Sequence, residues 1–211
     1  MRHTLMTPSL LKEFILESTD YDVFMDFFKR NTDAVKAGHE ILMDHAETLP
    51  LNWQRSTRVE KTIAISPAFK LRLENIKRQL TWLVITEPWC GDSAQSLPII
   101  HKIANHSNGK IDLRIIHRDQ HHELIDAFLT KGARSIPKLI QLNDQFEVMG
   151  IWGPRPAEAQ QLIVQIKSNP LTAPHYKDVL HKWYAQNKGQ AIEQELAQLL
   201  EQTAVIPLNI L

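Results

Sequence analysis

The sequence predicts an α/β fold: a small mixed sheet of four strands flanked by helices, with helical extensions at both ends. Three observations predict it. Leu80-Thr81-Trp82-Leu83-Val84-Ile85-Thr86 is short, β-branched and almost continuously apolar, the pattern of a strand covered on both faces. A second such run, Ile111 to Ile116, follows after a helical stripe of Ile99, Ile100, Ile103 and Ala104 that stops near Asn108-Gly109. Two further runs, Lys138 to Leu142 and Phe146 to Trp152, flank Asn143-Asp144-Gln145, a triplet suited to a hairpin. Two parallel strands joined by a helix and followed by a hairpin give a small mixed sheet.

The flanks read as helix. From Leu10 to about Arg58, Phe14, Val23, Phe24, Phe27, Phe28, Val35, Ile41, Leu42 and Leu49 recur at three- and four-residue spacing, with Pro50 expected to separate two helices. Ser66-Pro67 starts another, with Ser as cap and Pro in the first turn, running to about Lys77. Leu124, Ile125 and Phe128 form a short helix that Gly132 ends. Helices over about 157–167 and 176–203 close the chain. The second carries a stripe of Val179, Leu180, Trp183, Ile192, Leu196, Leu199 and Leu200 that suits core or a dimer contact. The expected units are a helical region over 1–79 packed on the core, an α/β domain over 80–168, and a helical tail over 169–211.

Composition narrows the function. Lys and Arg number 24 and balance 24 Asp and Glu, so no basic field draws the chain to nucleic acid. No stretch approaches the roughly 20 apolar residues of a membrane span, and no leader pattern opens the sequence, which therefore reads as soluble and cytoplasmic. The one cysteine, Cys90, excludes an intramolecular disulfide. Its bland reading is a small buried hydrophobe. Its position at the start of a helix points instead to an exposed or semi-exposed functional thiol, because N-terminal N–H groups and the helix dipole favour a thiolate. His117, His121 and His122 are the densest histidine group, but they lack a second cluster at zinc spacing.

Strand, then Trp89-Cys90-Gly91-Asp92-Ser93, then helix resembles the active-site turn of the thioredoxin family. Pro98 falls where thioredoxins kink the active-site helix. Arg134-Ser135-Ile136-Pro137, just before a strand, resembles the segment carrying the family's cis-proline, and Gly153 matches the glycine that lets substrate approach. The resemblance covers about Thr81 to Lys167. With Trp152-Gly153-Pro154-Arg155-Pro156, the fuller run Thr86 to Asp92 is similar to a group of largely uncharacterised bacterial thioredoxin-family proteins with helical extensions. It implies a thioredoxin-like sandwich in which a cis Pro137 faces Cys90.

The departures from that pattern matter as much. Ser93 stands where thioredoxins carry the second, resolving cysteine, giving a Cys-x-x-Ser turn that cannot close a disulfide. Asp92 replaces the usual proline, and its charge opposes the dipole at the thiol. Val84 stands where many thioredoxins carry a buried acid, six residues before the first cysteine. The expected reaction is monothiol: Cys90, with Ser93 beside it, attacks a disulfide, and an external thiol resolves the mixed disulfide. Trp89, Gly91, Asp92, Arg134, Ile136, Pro137, Gly153 and Arg155 would form the substrate-binding surface. Arg134 and Arg155, with Arg55 and Arg58 as more distant candidates, could hold a carboxylate or phosphate, or remain solvated surface charges. Expected partners are a thiol- or disulfide-bearing protein or a low-molecular-weight thiol, with no nucleic acid, no membrane, no cofactor and no metal, and with a homodimer open. Two rivals stand beside this reading. One is a non-catalytic binding module using the groove near Pro137. The other is a glutaredoxin-like monothiol protein using glutathione or an iron–sulfur cluster, since Cys90-Gly91-Asp92-Ser93 is similar to the Cys-Gly-Phe-Ser turn.

Overall fold

The computed structural model describes residues 6–205. The apolar run becomes β1 (Leu80–Thr86), buried along its whole length because it lies inside the sheet. β2 (Ile111–His117) pairs with it in parallel, Leu80 opposite Ile111 and Thr86 opposite His117. β3 (Lys138–Leu142) pairs antiparallel on the other side, and β4 (Val148–Trp152) completes a sheet of order β2-β1-β3-β4. The strand run expected from Phe146 starts two residues later. Asn143 Oδ1 accepts from the backbone N–H groups of Gln145 and Glu147, 2.9 Å each, and Phe146 takes φ +61° in that turn.

Nine α-helices lie among the described residues. α1 (Pro8–Glu17) and α2 (Tyr21–Lys36) are capped by Thr7 and Asp20. α3 (Leu49–Thr62) carries Pro50 in its first turn, so Pro50 opens this helix. The break lies upstream of it, in the irregular stretch after Lys36, and the Ser18-Thr19-Asp20 break between α1 and α2 adds a further helix to this region. α4 (Pro67–Glu74) starts on the Ser66 cap, 3.2 Å from the Phe69 N–H, and stops short of Lys77. α5 (Gly91–His106) contains Pro98, and α6 (His122–Ala127) is a short connector. α7 (Ala157–Lys167) follows β4. The single tail helix expected over 176–203 is two, α8 (Tyr176–Asn187) and α9 (Gln190–Val205). Lys188 and Gly189 between them both have positive φ, and Gly189 packs so tightly that a Cβ would sit 2.8 Å from Ile99 Cδ1.

Alternation along β1 divides the core. Trp82 and Val84 face the larger core, with residues of α2 to α5 and α7 to α9. Leu83 and Ile85 face the smaller one, with Leu11 and Phe14 of α1 and Leu124 and Ile125 of α6, and Cys90 belongs to this second cluster. The extensions are part of the packing. α3 lies along α5 and α9 lies on β4, while Thr19 bridges Ile115 through two backbone hydrogen bonds of 2.8 and 2.7 Å and closes the outer edge of β2.

Candidate functional site around Cys90

β1 ends at Thr86, and Glu87-Pro88-Trp89 carry the chain round so that Cys90 occupies the N-cap of α5, its carbonyl accepting from the Ala94 N–H at 3.0 Å. The thiol donates to the carbonyl of Ile136 at 3.2 Å, and the Ile136–Pro137 peptide is cis, so the proline loop faces Cys90 as the turn implies. The expectation of an exposed or semi-exposed thiol is not met. Cys90 is 8% exposed. Burial, then the Asp92 charge, pushes its thiol up to about 11, against a smaller opposite pull from hydrogen bonding by Ser93. The helix start is overridden because burial disfavours the thiolate, and the carbonyl of Ile136 accepts from the protonated thiol.

The flanking residues are fixed by side chains from outside the turn. Ser93 is buried and accepts from Thr86 Oγ1 at 2.6 Å. The carbonyl of Trp89 accepts from Asn52 Nδ2 at 2.7 Å and Thr48 Oγ1 at 3.2 Å. Its half-buried indole forms one wall, with the Arg118 guanidinium 4.5 Å from its centre and Nε1 donating to Asp119 at 3.2 Å. Glu87 is a buried carboxylate that holds this wall in place. Its two oxygens accept from the Asp119 N–H at 2.9 Å and bond His117 Nδ1 at 3.0 Å.

On the other side of the thiol, Asp92 is also buried. Arg155 grips it with both prongs, Nε to Oδ1 at 3.1 Å and Nη2 to Oδ2 at 2.6 Å, and the phenol of Tyr184 donates to Oδ1 at 2.7 Å. Arg155 also reaches Gln160 Oε1 at 2.8 Å. One turn of α8 earlier, His181 lies against Gly91, where a Cβ would come within 2.9 Å of the ring. Burial, then the nearby Arg55 charge, brings His181 down to about 4, so it is neutral and bonds Gln95, which in turn accepts from Arg58 at 3.0 Å. Arg55 bonds Asn52 Oδ1 at 2.9 Å. Arg58 thus reaches the first turns of α5, and Arg55 Nη1 comes within 3.6 Å of where a Cβ on Gly91 would sit.

Gly153 has φ +109°, and a Cβ there would lie 2.2 Å from the carbonyl oxygen of Pro137. The backbone therefore demands glycine at this contact between the two loops. A cleft of about 580 Å³ opens beside it, reaching Ser135, Gly153 and Arg155. Arg134 is elsewhere: its guanidinium forms an exposed two-pronged pair with Asp126 at 2.6 and 2.7 Å. The histidine group is dispersed into separate bonds, His117 to Glu87 and His121 to Glu17. Among the described residues no three His, Cys, Asp or Glu side chains gather as a metal site requires.

The thioredoxin family profile matches residues 40–170, well over half of the chain. The chain belongs to the thioredoxin family. No curated protein matches it. Among solved structures it is similar to PA1234, a protein of unknown function from Pseudomonas aeruginosa, at 17% identity with a TM-score of 0.61, covering 90% of this chain and 96% of that one. It is also similar to an HIV epitope-scaffold, at 19% identity and a TM-score of 0.53, covering 87% and 98%. These two likenesses concern the fold. Among the described residues no helix is long and apolar enough to cross a membrane.

Within this thioredoxin fold, Trp89, Cys90, Gly91, Asp92, Ser93, Ile136, Pro137, Gly153 and Arg155 come together at the turn or directly behind it, and Arg134 does not join them. Sequence reasoning missed Asn52, Glu87, Gln95, His181 and Tyr184. Nothing local marks Tyr184 or His181, which act across about ninety residues of chain. Glu87 did carry a signal, an acid directly after an almost continuously apolar central strand, where burial has to be compensated by partners.

Proposed function

We propose that this thioredoxin-family chain carries out thiol–disulfide exchange with one thiol. The Cys90 thiolate attacks a disulfide R–S–S–R′, forms Cys90–S–S–R and expels R′–S⁻, which takes up the proton that Cys90 gave up. A second thiol, from solution or from the partner, then attacks the R sulfur and returns Cys90 as a thiol. The supporting observation is the placing of the only thiol at the N-terminus of a 16-residue helix, 3.2 Å from the carbonyl that precedes cis Pro137. Ser93 keeps the turn closed through Thr86 and offers no resolving sulfur.

The resting thiol is protonated, and that sets the rate. With its titration raised from 9.0 to about 11, Cys90 carries about 100-fold less thiolate at pH 7.5, and the greater nucleophilicity of a more basic thiolate returns only about tenfold. Exchange in the resting conformation is therefore about tenfold slower than for an unburied thiol. The same burial favours a second reading, a thioredoxin-fold binding module without turnover. The pH dependence of Cys90 alkylation in the native chain, followed by mass spectrometry, separates them. Slow labelling that rises with pH toward 11, together with a mixed disulfide trapped by an aryl disulfide, is the expected result. Labelling only after unfolding, with no trapped adduct, rejects exchange and leaves the binding module, for which Cys90→Ser preserves partner binding.

A further inference from the structure

Lys138 is a buried cation without a counter-charge. It opens β3 directly after cis Pro137, is 2% exposed, and makes no ion pair among the described residues. Of the three N–H donors on Nζ one is used, toward Thr130 Oγ1 at 2.5 Å. Burial holds its pKa below the ordinary lysine value, and no neighbouring charge acts against that. Such a charge is costly unless an opposite one is brought to it. Register places it beside the cleft of about 580 Å³. The side chains of Lys138 and Ile140 share a face of the sheet, and Ile140 sits opposite Ile151, whose half-exposed side chain lines the cleft. One step beyond the Leu139–Trp152 pair, the neighbour of Lys138 is Gly153, where a Cβ would lie 3.5 Å from Lys138 Cα.

Thr130 lines the same cleft. Its backbone exchanges hydrogen bonds of 2.9 and 3.0 Å with Ala133, across a turn in which Lys131 and Gly132 have positive φ, so the residue that takes the Lys138 N–H is held in place. With one lone pair of its hydroxyl given to Lys138, its proton is left for another acceptor. The Ser135 hydroxyl and the exposed Lys131 ammonium, also on the cleft, have no acceptor among the described residues either. The charges there do not cancel: Arg155 is neutralised by Asp92, and Lys131 and Lys138 stand against Glu195 alone. We propose that this cleft binds a small-molecule carboxylate, its oxygens taken by Thr130, Ser135 and Lys131, with Lys138 as the buried counter-charge behind Thr130. Glu195 in the same cleft repels a second negative charge, which favours a carboxylate over a phosphate dianion. The volume, and Ile151 as an apolar side chain, suit a carboxylate on a short hydrocarbon chain. The site makes no use of the thiol and goes beyond disulfide exchange.

The probe is 4-methylpentanoate, titrated into the full-length ¹⁵N-labelled chain, with 4-methylpentanamide as its uncharged twin. Saturable shifts at Thr130, Lys131, Ser135, Ile151 and Gly153 are expected, with the amide bound about tenfold more weakly. Lys138→Met replaces an unpaired buried charge by an apolar chain, which the fold should tolerate, and it brings the carboxylate down to the level of the amide. Thr130→Val removes only the linking hydroxyl and has the same effect. Lys131→Gln costs about threefold, because that ammonium is exposed. No saturable shift at about 20 mM carboxylate overturns the proposal. So do shifts that lie outside the cleft, equal binding of acid and amide, and undiminished carboxylate binding by Lys138→Met or Thr130→Val. Tighter binding of inorganic phosphate than of the carboxylate overturns the assignment of the ligand. Cys90→Ser binds the probe as the natural chain does, so failure here and failure of thiol exchange are read separately.

Discussion

Two arginine–aspartate pairs have nearly the same geometry, and they differ in almost everything that geometry does not describe. Arg134 and Asp126 meet through two hydrogen bonds in the open, both side chains more than two-fifths exposed. Arg155 and Asp92 meet through two hydrogen bonds behind the thiol, with Asp92 almost fully covered. Water competes for the first pair and screens it, so its formation changes little. The second pair has given up its hydration, and each member depends on the other. The charged contact that matters to the turn is the one carried by a residue 63 positions away.

Breaking that dependence gives the largest effect. Arg155→Met leaves a buried carboxylate with only Tyr184 as partner, and denaturant unfolding should show a loss of about 3–5 kcal/mol. Adding Asp92→Asn to that variant should recover part of the loss, because the uncompensated charge is then gone; additive losses would show that the two residues do not act as a pair. The next effect is a pH dependence. The pKa of His181 is depressed from 6.5 to about 4 by burial first and then by Arg55, with Lys177 acting the same way and Asp92 and Asp178 opposing. Between those values the unfolded chain binds the extra proton. Stability should therefore fall as pH drops from about 6.5 to about 4, by up to about 3 kcal/mol, and His181→Asn should remove that slope.

A smaller effect tests the tyrosine that joins the buried pair. Tyr184→Phe removes one hydrogen bond to a charged acceptor and should cost about 2 kcal/mol while leaving the fold intact. The smallest belongs to the exposed pair: Asp126→Asn should leave the melting temperature unchanged within error. A large loss there, or none in Arg155→Met, would invert the comparison.

What was legible in the sequence follows the range of the interactions. β1 and β3 are marked by their own apolar runs, and the Ser66 cap, the Asn143 turn and the cis-proline segment are marked by residues within a few positions of the feature they create. The Lys188-Gly189 break in the tail was local as well, but a continuous apolar stripe across it masked the glycine. The site divides the same way. Cys90, Ser93 and the proline loop could be read from short patterns, whereas the burial of the thiol could not, because its cover is assembled from segments far apart in the chain. A helix start predicts a favoured thiolate only while the sulfur meets water, and here it meets the carbonyl of Ile136.

The grip of Asn52 and Thr48 on the carbonyl of Trp89 bears on how the chain can be trimmed. Those side chains stand outside the stretch from 80 to 168 that carries the sheet, as do Tyr184 and His181 on the far side of the turn. A fragment cut to the sandwich alone would retain every strand and the cysteine, yet release the turn from both of its clamps. The smallest piece that preserves this turn as it stands therefore begins before α3 and ends after α8, and the flanking helices are the jig in which the thiol is set.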